Sequence, residues 1–419
     1  MKKLPLLLVG AALVPAAVLI ACATDNGDNV YGDQFGPTPQ RPDATADRSS
    51  PEDDGSVQPE EEGGTDGGPD APSSCADGMI AVLAGSASGL TGAVQDRGGA
   101  WKGAPIPGGA ALSTPALVAF GSGFLGVTRG AGNTLQSTTY TSAWSAPATF
   151  GVAGVKTAPS LTVVGTKAHV VYSAGAGAAA NFVHGINAGS GWDGASEPVG
   201  SAMGVAPVGL AQAGADLGFA QAGTNNGLYF LARAGTTWTS YVGPDGIEGI
   251  DGAGAAELAS PALVSVDGKF DVVLVYADKD GVNKLRWVGR DATSKTFTAP
   301  ADVNGSNTNY ASTLEPIAIA RVSPFTLLAT FRGTDGKGYY VSGTLSPTTI
   351  NWTSPAPLAT GGVAVDETPR PAKGVCGDDG VIAFASAGQV KLVRLRGSAL
   401  TAPEPVTGAS GARVAIATR

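Results

Sequence analysis

Few side chains in this 419-residue sequence are of types that do chemistry, and their spacing limits what they could do. The only imidazoles are His169 and His184. They are symmetric about Ala176-Gly177, so a hairpin turning there would set them opposite each other on neighbouring strands. Cross-strand imidazoles suit a metal, but zinc needs further ligands and none stands at a suitable spacing. A structural pair is the expected reading. A serine nucleophile would have to use one of these two histidines, and no Gly-x-Ser-x-Gly frames it. Glycoside hydrolysis needs two carboxylates on facing elements; Glu315 and Asp335 are candidates that nothing marks as paired. Asp278-Lys279-Asp280-Gly281 and Asp25-Asn26-Gly27-Asp28-Asn29 have the composition of calcium loops without the graded ligand spacing. The first is expected to be a hairpin turn and the second a solvated spacer. The expectation is a non-enzyme with no catalytic residue, no metal and no cofactor.

The elements that would position these residues come from a repeat. Its clearest copy runs from Thr114 to Pro147 as four short runs rich in β-branched and aromatic residues. Gly, Asn and Ser, the residues of tight turns, separate the runs. Self-similarity at this period is the signature of a propeller blade. Pro115, Pro159, Pro207, Pro261, Pro316 and Pro371 each stand at or near the head of an apolar run. Proline has no N–H to give to a ladder, so it suits the first position of a strand. A fourth strand is marked seven times, by Trp101, Trp144, Trp192, Trp238, Phe297, Trp352 and Leu400. The opening copy, Met79 to Pro107, lacks a first strand, and Ala412–Thr418 is a lone strand at the other end. Joining them makes seven blades and removes the open edges. Asp280-Gly281, Asn226-Gly227, Asp335-Gly336 and Ala387-Gly388 fall at the phase of the hairpin between second and third strands. No segment has a helical period, so the fold class is all-β: a seven-bladed β-propeller closed by its N- and C-terminal strands. Tryptophans recurring at one phase are expected to pack blade against blade.

The first 74 residues are of another kind. Lys2, Lys3 and the apolar run Leu4 to Val18 lead to Leu19-Ile20-Ala21-Cys22, which resembles the lipobox of bacterial lipoproteins. That run is short and broken by Pro5 and Pro15, which argues against a spanning helix. The resemblance implies a signal peptide over 1–21, acylation of Cys22 and, with Ala23 next, an outer-membrane address. A plain secretory signal is the alternative. Residues 23–74 hold thirteen acids against Arg41 and Arg48, with seven prolines and almost no large apolar residue. Such a segment cannot offset its ordering entropy, so 22–74 is expected to be a lipidated, disordered acidic tether reaching beyond roughly 40 Å. Residues 75–419 hold 22 acids and 22 bases. A neutral domain argues against nucleic-acid binding, which requires a basic face.

Two cysteines remain, Cys75 and Cys376. Export permits a disulfide. Both fall at the turn before a second strand, on the same face of neighbouring blades, so a bridge is expected, with two free thiols as the alternative.

No stretch fits the Ser-x-Asp-x-Gly-x-x-Trp box of sialidases; Trp192-Asp193-Gly194 has its residues in the wrong order. The repeat is similar instead to the Photorhabdus-lectin-like propellers. The likeness is carried by Thr114-Pro115-Ala116-Leu117, Arg129-Gly130, Asn133-Thr134-Leu135 and Trp144-Ser145, and again by Ser260-Pro261-Ala262-Leu263 and Asn226-Gly227-Leu228-Tyr229. It implies sugar pockets between blades built on the third strand, at Gln136, Val183, Tyr229, Arg286, Tyr340 and Lys391. Tyr229 and Tyr340 are the aromatic ones and hence the ligand candidates; Trp287, one residue on, is expected to face the other side of its sheet. The expected function is a membrane-anchored, monomeric binding module for a glycan or an envelope protein. A non-catalytic docking platform and a degenerate glycan-active enzyme are the alternatives.

Overall fold

A computed structural model of the chain describes residues 78–419 except 176–179, 194–196, 205, 207, 224–226, 244–248, 251–259, 279–283 and 304–315. Cys22, Cys75, the acidic stretch, Glu315, Pro207 and the turns at Ala176-Gly177 and Asp280-Gly281 lie outside the described residues.

The strands form seven antiparallel sheets of four or five strands, each a blade. Blade 2 shows the pattern: Ala116–Phe120, Gly123–Gly130, Thr134–Tyr140 and Ala148–Phe150, in that order outward. The one helical turn among the described residues is the short 3-10 segment Ala131–Asn133. Blade 1 is composite. Its strands Met79–Ser86, Gly89–Asp96 and Trp101–Pro105 receive Arg413–Thr418 as the innermost strand. Ile80 pairs with Thr418 and Gly85 with Arg413. The Met79 and Arg419 peptides exchange two hydrogen bonds of 3.0 Å, so the ends of the ring lie in one ladder and leave no open edge there.

The second strands read as nearly continuous apolar runs, such as Phe270–Ala277, because both faces of a blade are covered by neighbours. The buried apolar residues fall into seven clusters, one for each pair of adjacent blades. The ring has no single core; its hydrophobic stabilisation is divided over seven interfaces.

The aromatic markers join these interfaces. Trp144 packs between blades 1 and 2, and Trp192 stacks on Phe150 of blade 2 at 4.3 Å. Phe297 meets Phe230 of blade 4 edge-on at 5.2 Å.

Pro115, Pro159, Pro261, Pro316 and Pro371 ring the mouth of a central channel of about 240 Å³. Hydroxyls here donate to carbonyls just ahead of the inner strands and tie one blade to the next. Ser160 donates to the Val208 carbonyl (2.5 Å), Thr368 to Pro316 (2.6 Å) and Thr330 to Pro369 (2.6 Å). Glu367 accepts from Thr114 (2.6 Å) and pairs with Arg413 (3.1 Å), so one carboxylate links blades 7, 1 and 2.

At the hairpin Ala387-Gly388 both residues take positive φ, 52° and 72°, as a type I′ turn requires. Alanine resists that conformation, and here Asp366 holds it by accepting both turn N–H groups (3.1 and 2.8 Å).

Candidate functional site

All six third-strand positions singled out from the repeat lie on third strands. Strand alternation sorts them by face. Gln136, Val183, Tyr229, Arg286 and Lys391 pair with Thr128, Tyr172, Gln221, Tyr276 and Phe384 of the second strands, and each faces the preceding blade. Tyr340 does not. It packs with the cluster shared with blade 7, whereas its neighbour Tyr339 packs towards blade 5. Tyr339 pairs with Pro357 just as Arg286 pairs with Asp302, two residues after the proline that opens the fourth strand. The position in blade 6 equivalent to Arg286 is therefore Tyr339, one residue before the Tyr340 that the repeat aligns with it in sequence. Tyr339 stacks on Phe331 at 5.6 Å and donates its hydroxyl to Asp335 (2.9 Å). That bond and the Lys337 N–H hold the Asp335 carboxyl below its ordinary value against the opposing effect of burial.

Blade 5 carries the most polar version of this position. Tyr276, Arg286 and Asp302 form one cross-strand row over its second, third and fourth strands, and Asp278 lies two residues beyond Tyr276. Arg286 Nε is 3.0 Å from Asp278 Oδ2 and 3.2 Å from Asp302 Oδ1. The arginine side chain is 31% exposed and Asp278 only 5%. Beneath them the Tyr276 hydroxyl is buried with no hydrogen-bond partner among the described residues. Burial raises its pKa, and the two carboxylates add to the effect against Arg286, so the phenol stays protonated as a donor. Arg286 and Asp278 were visible singly in the sequence; Asp302 and Tyr276 were not. The signal that would have found them is the row itself, which appears only when the pairing of all three strands is known. Trp287 faces the other way, into the cluster shared with blade 6.

The two histidines do meet, but diagonally. His169 is opposite Ile186 and His184 opposite Val171, so the hairpin is two residues out of the expected symmetry. His169 Nδ1 and His184 Nε2 are 3.0 Å apart, His184 Nδ1 is 3.3 Å from Glu197, and Arg233 of blade 4 holds Glu197 at 2.9 Å. Both nitrogens of His184 are engaged within this chain, which runs across the interface of blades 3 and 4. No group of three metal-ligating side chains occurs among the described residues.

Burial, with the charges of His184, Arg233 and Lys167, lowers His169 from 6.5 to about 4. Burial lowers His184 as well, against its bond to Glu197. Glu197 is also lowered: burial would raise it, and its bonds to Arg233 and His184 prevail. Each shift has the same consequence. An unfolded histidine binds its proton as pH falls through 6.5 while folded His169 resists until about 4, so the stability present above 6.5 is lost across that window. The loss due to His169 is about 3 kcal/mol. Melting temperatures recorded from pH 7.5 to 4 should fall steeply, and His169→Gln should flatten the slope. A slope unaltered in that variant would show that this pair does not govern the acid response.

Asp193 Oδ1 accepts the Ile186 N–H (2.8 Å), a local turn contact. Cys376 sits in the turn between the first and second strands of blade 7 at φ 59°.

No family model matches the chain, and neither does any curated protein. Among solved structures it is similar to the BP39L lectin from Burkholderia pseudomallei. The TM-score is 0.60 at 13% identity, over 80% of this chain and 96% of that one. The SapL1 lectin in complex with alpha methyl fucoside gives 0.49 at 12% identity, over 73% and 99% of the two chains. A mutant Aleuria aurantia lectin in complex with alpha-methyl-L-fucoside gives 0.45 at 16% identity, over 67% and 96%. At such identities the likeness to BP39L concerns the fold alone: this chain is a seven-bladed β-propeller.

Proposed function

We propose that residues 75–419 form a non-catalytic glycan-binding module, carried on an acidic spacer and held to the outer membrane by lipid on Cys22. The observation that carries the glycan reading is the row Tyr276–Arg286–Asp302 with Asp278. It puts a half-buried guanidinium, two carboxylate acceptors and a buried phenol donor at the blade position that the lectin-like repeat assigns to a sugar. Sugar hydroxyls bind by such paired donors and acceptors, with a nearby aromatic ring against an apolar face. Tyr229 and Tyr339 offer rings at the same position in blades 4 and 6. The lectin likeness in fold supports the reading.

A glycan array on the purified protein, followed by titration of the best binder, tests this. Arg286→Ala, Tyr229→Ala and Tyr339→Ala should each weaken binding at their own blade about tenfold, equivalent to roughly 1.4 kcal/mol. Tyr340→Ala, on the opposite face, should leave it unchanged. A blank array would eliminate the lectin reading. Fatty-acid labelling of the full chain that persists in Cys22→Ser would eliminate the anchor. A docking platform is the second reading, favoured by Phe325, which is 69% exposed beside Pro324 and Pro347.

A further inference from the structure

Among the described residues the exposed large apolar side chains are Val152, Val242 and Phe325, and Phe325 is the most exposed. It stands in the turn between strands Ala318–Ser323 and Thr326–Arg332 of blade 6. That turn is braced from within. Arg321 donates to the Ser323 and Pro324 carbonyls (3.3 and 3.0 Å), and the Ser323 hydroxyl accepts the Phe325 N–H (3.2 Å). The Phe325 carbonyl accepts the Leu345 N–H (2.8 Å). Arg321 also binds Asp267 of blade 5, which ties the turns of the two blades together. A fixed backbone thus holds a phenyl ring in water, at a hydrophobic cost that folding does not recover.

Phe325, Pro324 and Pro347 wall a cleft of about 350 Å³ between blades 5 and 6, within the size range of small-molecule sites. Buried Val266 and Phe270, with Leu345, line it from the apolar cluster that these blades share. The cleft lies at the Phe270 end of strand Phe270–Ala277, roughly 20 Å from Tyr276 at the other end, so it is separate from the third-strand row. Its rim side chains are largely engaged already. Arg321 takes Asp267, and the Ser346 hydroxyl donates to the Thr349 carbonyl (2.9 Å) while accepting the Thr349 N–H (3.2 Å). A sugar would find few free partners here for its hydroxyls, and burying them unpaired is costly.

Lys269 is the exception. It is exposed at the rim and makes no ion pair among the described residues. Its charge reaches Asp291, but that carboxyl accepts the Thr293 and Ser294 N–H groups (2.9 and 2.8 Å) and lies beyond ion-pair distance. With Asp267 and Arg321 offsetting each other, one ammonium remains over an apolar cleft. A docked protein would need far more apolar surface than a phenyl and two prolines provide. Val152 and Val242 do not extend the patch, because they follow fourth strands, which end on the opposite face of the ring.

We propose that this cleft binds a small hydrophobic carboxylate, with its ring or alkyl chain against Phe325 and the two prolines and its charge on Lys269. The assignment does not rest on the glycan reading. Calorimetric titration of the purified protein with phenylbutyrate tests it, with phenylbutanol and phenylbutylamine as the neutral and cationic controls. The carboxylate should bind most tightly and the amine least. Lys269→Gln should weaken the carboxylate about tenfold and leave the alcohol unchanged. Phe325→Ser should weaken both about tenfold with no change in melting temperature, since the ring is 69% exposed. Val242→Ser, an exposed apolar residue outside the cleft, should alter neither. Absence of phenylbutyrate binding, equal binding of the amine, or an affinity insensitive to Lys269→Gln or to Phe325→Ser would each overturn the proposal. Competition between phenylbutyrate and an array-positive glycan would overturn it as well, by making the cleft a sugar site. A blank glycan array beside a phenylbutyrate titration that responds to both variants would defeat the lectin reading and uphold this one.

Discussion

Trp144→Ala is expected to lower the unfolding free energy of the ring by about 3 kcal/mol, the lower end of the range for truncating a large aromatic because the indole is half-buried. The argument rests on what the ring touches. Trp144 leaves its own blade and lies against the backbone of Gly92 in blade 1, so closely that a β-carbon built on Gly92 would come within 2.2 Å of the indole nitrogen. Its other face meets Tyr140. Removing the indole therefore opens a void at the interface of blades 1 and 2, where Leu83, Leu117 and Phe124 also meet. Gly92→Ala should cost about 1–3 kcal/mol by overpacking the same contact. Combined, the two changes should cost less than their sum, since alanine at 92 needs the space that the indole vacates. Denaturant melts of the three variants measure this. An unaltered melt for Trp144→Ala, or strict additivity, would refute the packing role.

The fold was legible because it is repeated. Pro115, Pro261 and Pro371 mark inner strands for the same reason, and a single misread copy is corrected by its neighbours. The closure between Met79 and Arg419 followed from counting unpaired strands, not from any local signal. What the repeat conceals is phase within a blade. Tyr339 and Tyr340 are adjacent tyrosines, and only the pairing of Tyr339 with Pro357 decides which one faces the preceding blade. The histidines were displaced for a similar reason. A two-residue offset in register leaves them in contact but diagonal. The Arg286–Asp302 contact depends on a fourth strand of only two residues, Ala301–Asp302, too short to leave a period in the sequence. Composition and recurrence thus specify the ring, whereas the polar clusters depend on register, which turn lengths set.

Cys75 and Cys376 should be found joined, and severing them should cost up to about 5 kcal/mol. The ring's two ends meet in blade 1, and blade 7 packs beside it through Ile80, Val82, Val414 and Ile416. Val375, next to Cys376, packs against that same cluster. Cys75 is four residues before Met79, a distance that extended chain spans with about 13 Å. The interface already carries a polar clamp: Arg394 bonds Asp378 at 2.7 Å, Glu404 at 2.8 Å and Gln95 of blade 1 at 2.6 Å. A covalent link there would close a loop of about 300 residues, for which the chain-entropy account gives the largest effects. Those contacts also define how the effect should divide. The clamp and the Met79–Arg419 ladder hold the folded ring shut without the bond, so reduction should leave native-state binding unaltered while lowering the melting temperature. Thiol titration of the denatured Cys22→Ser protein should find no free thiol before reduction and two after it. Two thiols before reduction would remove the bridge from the account, and closure would then rest on the ladder and the arginine clamp alone.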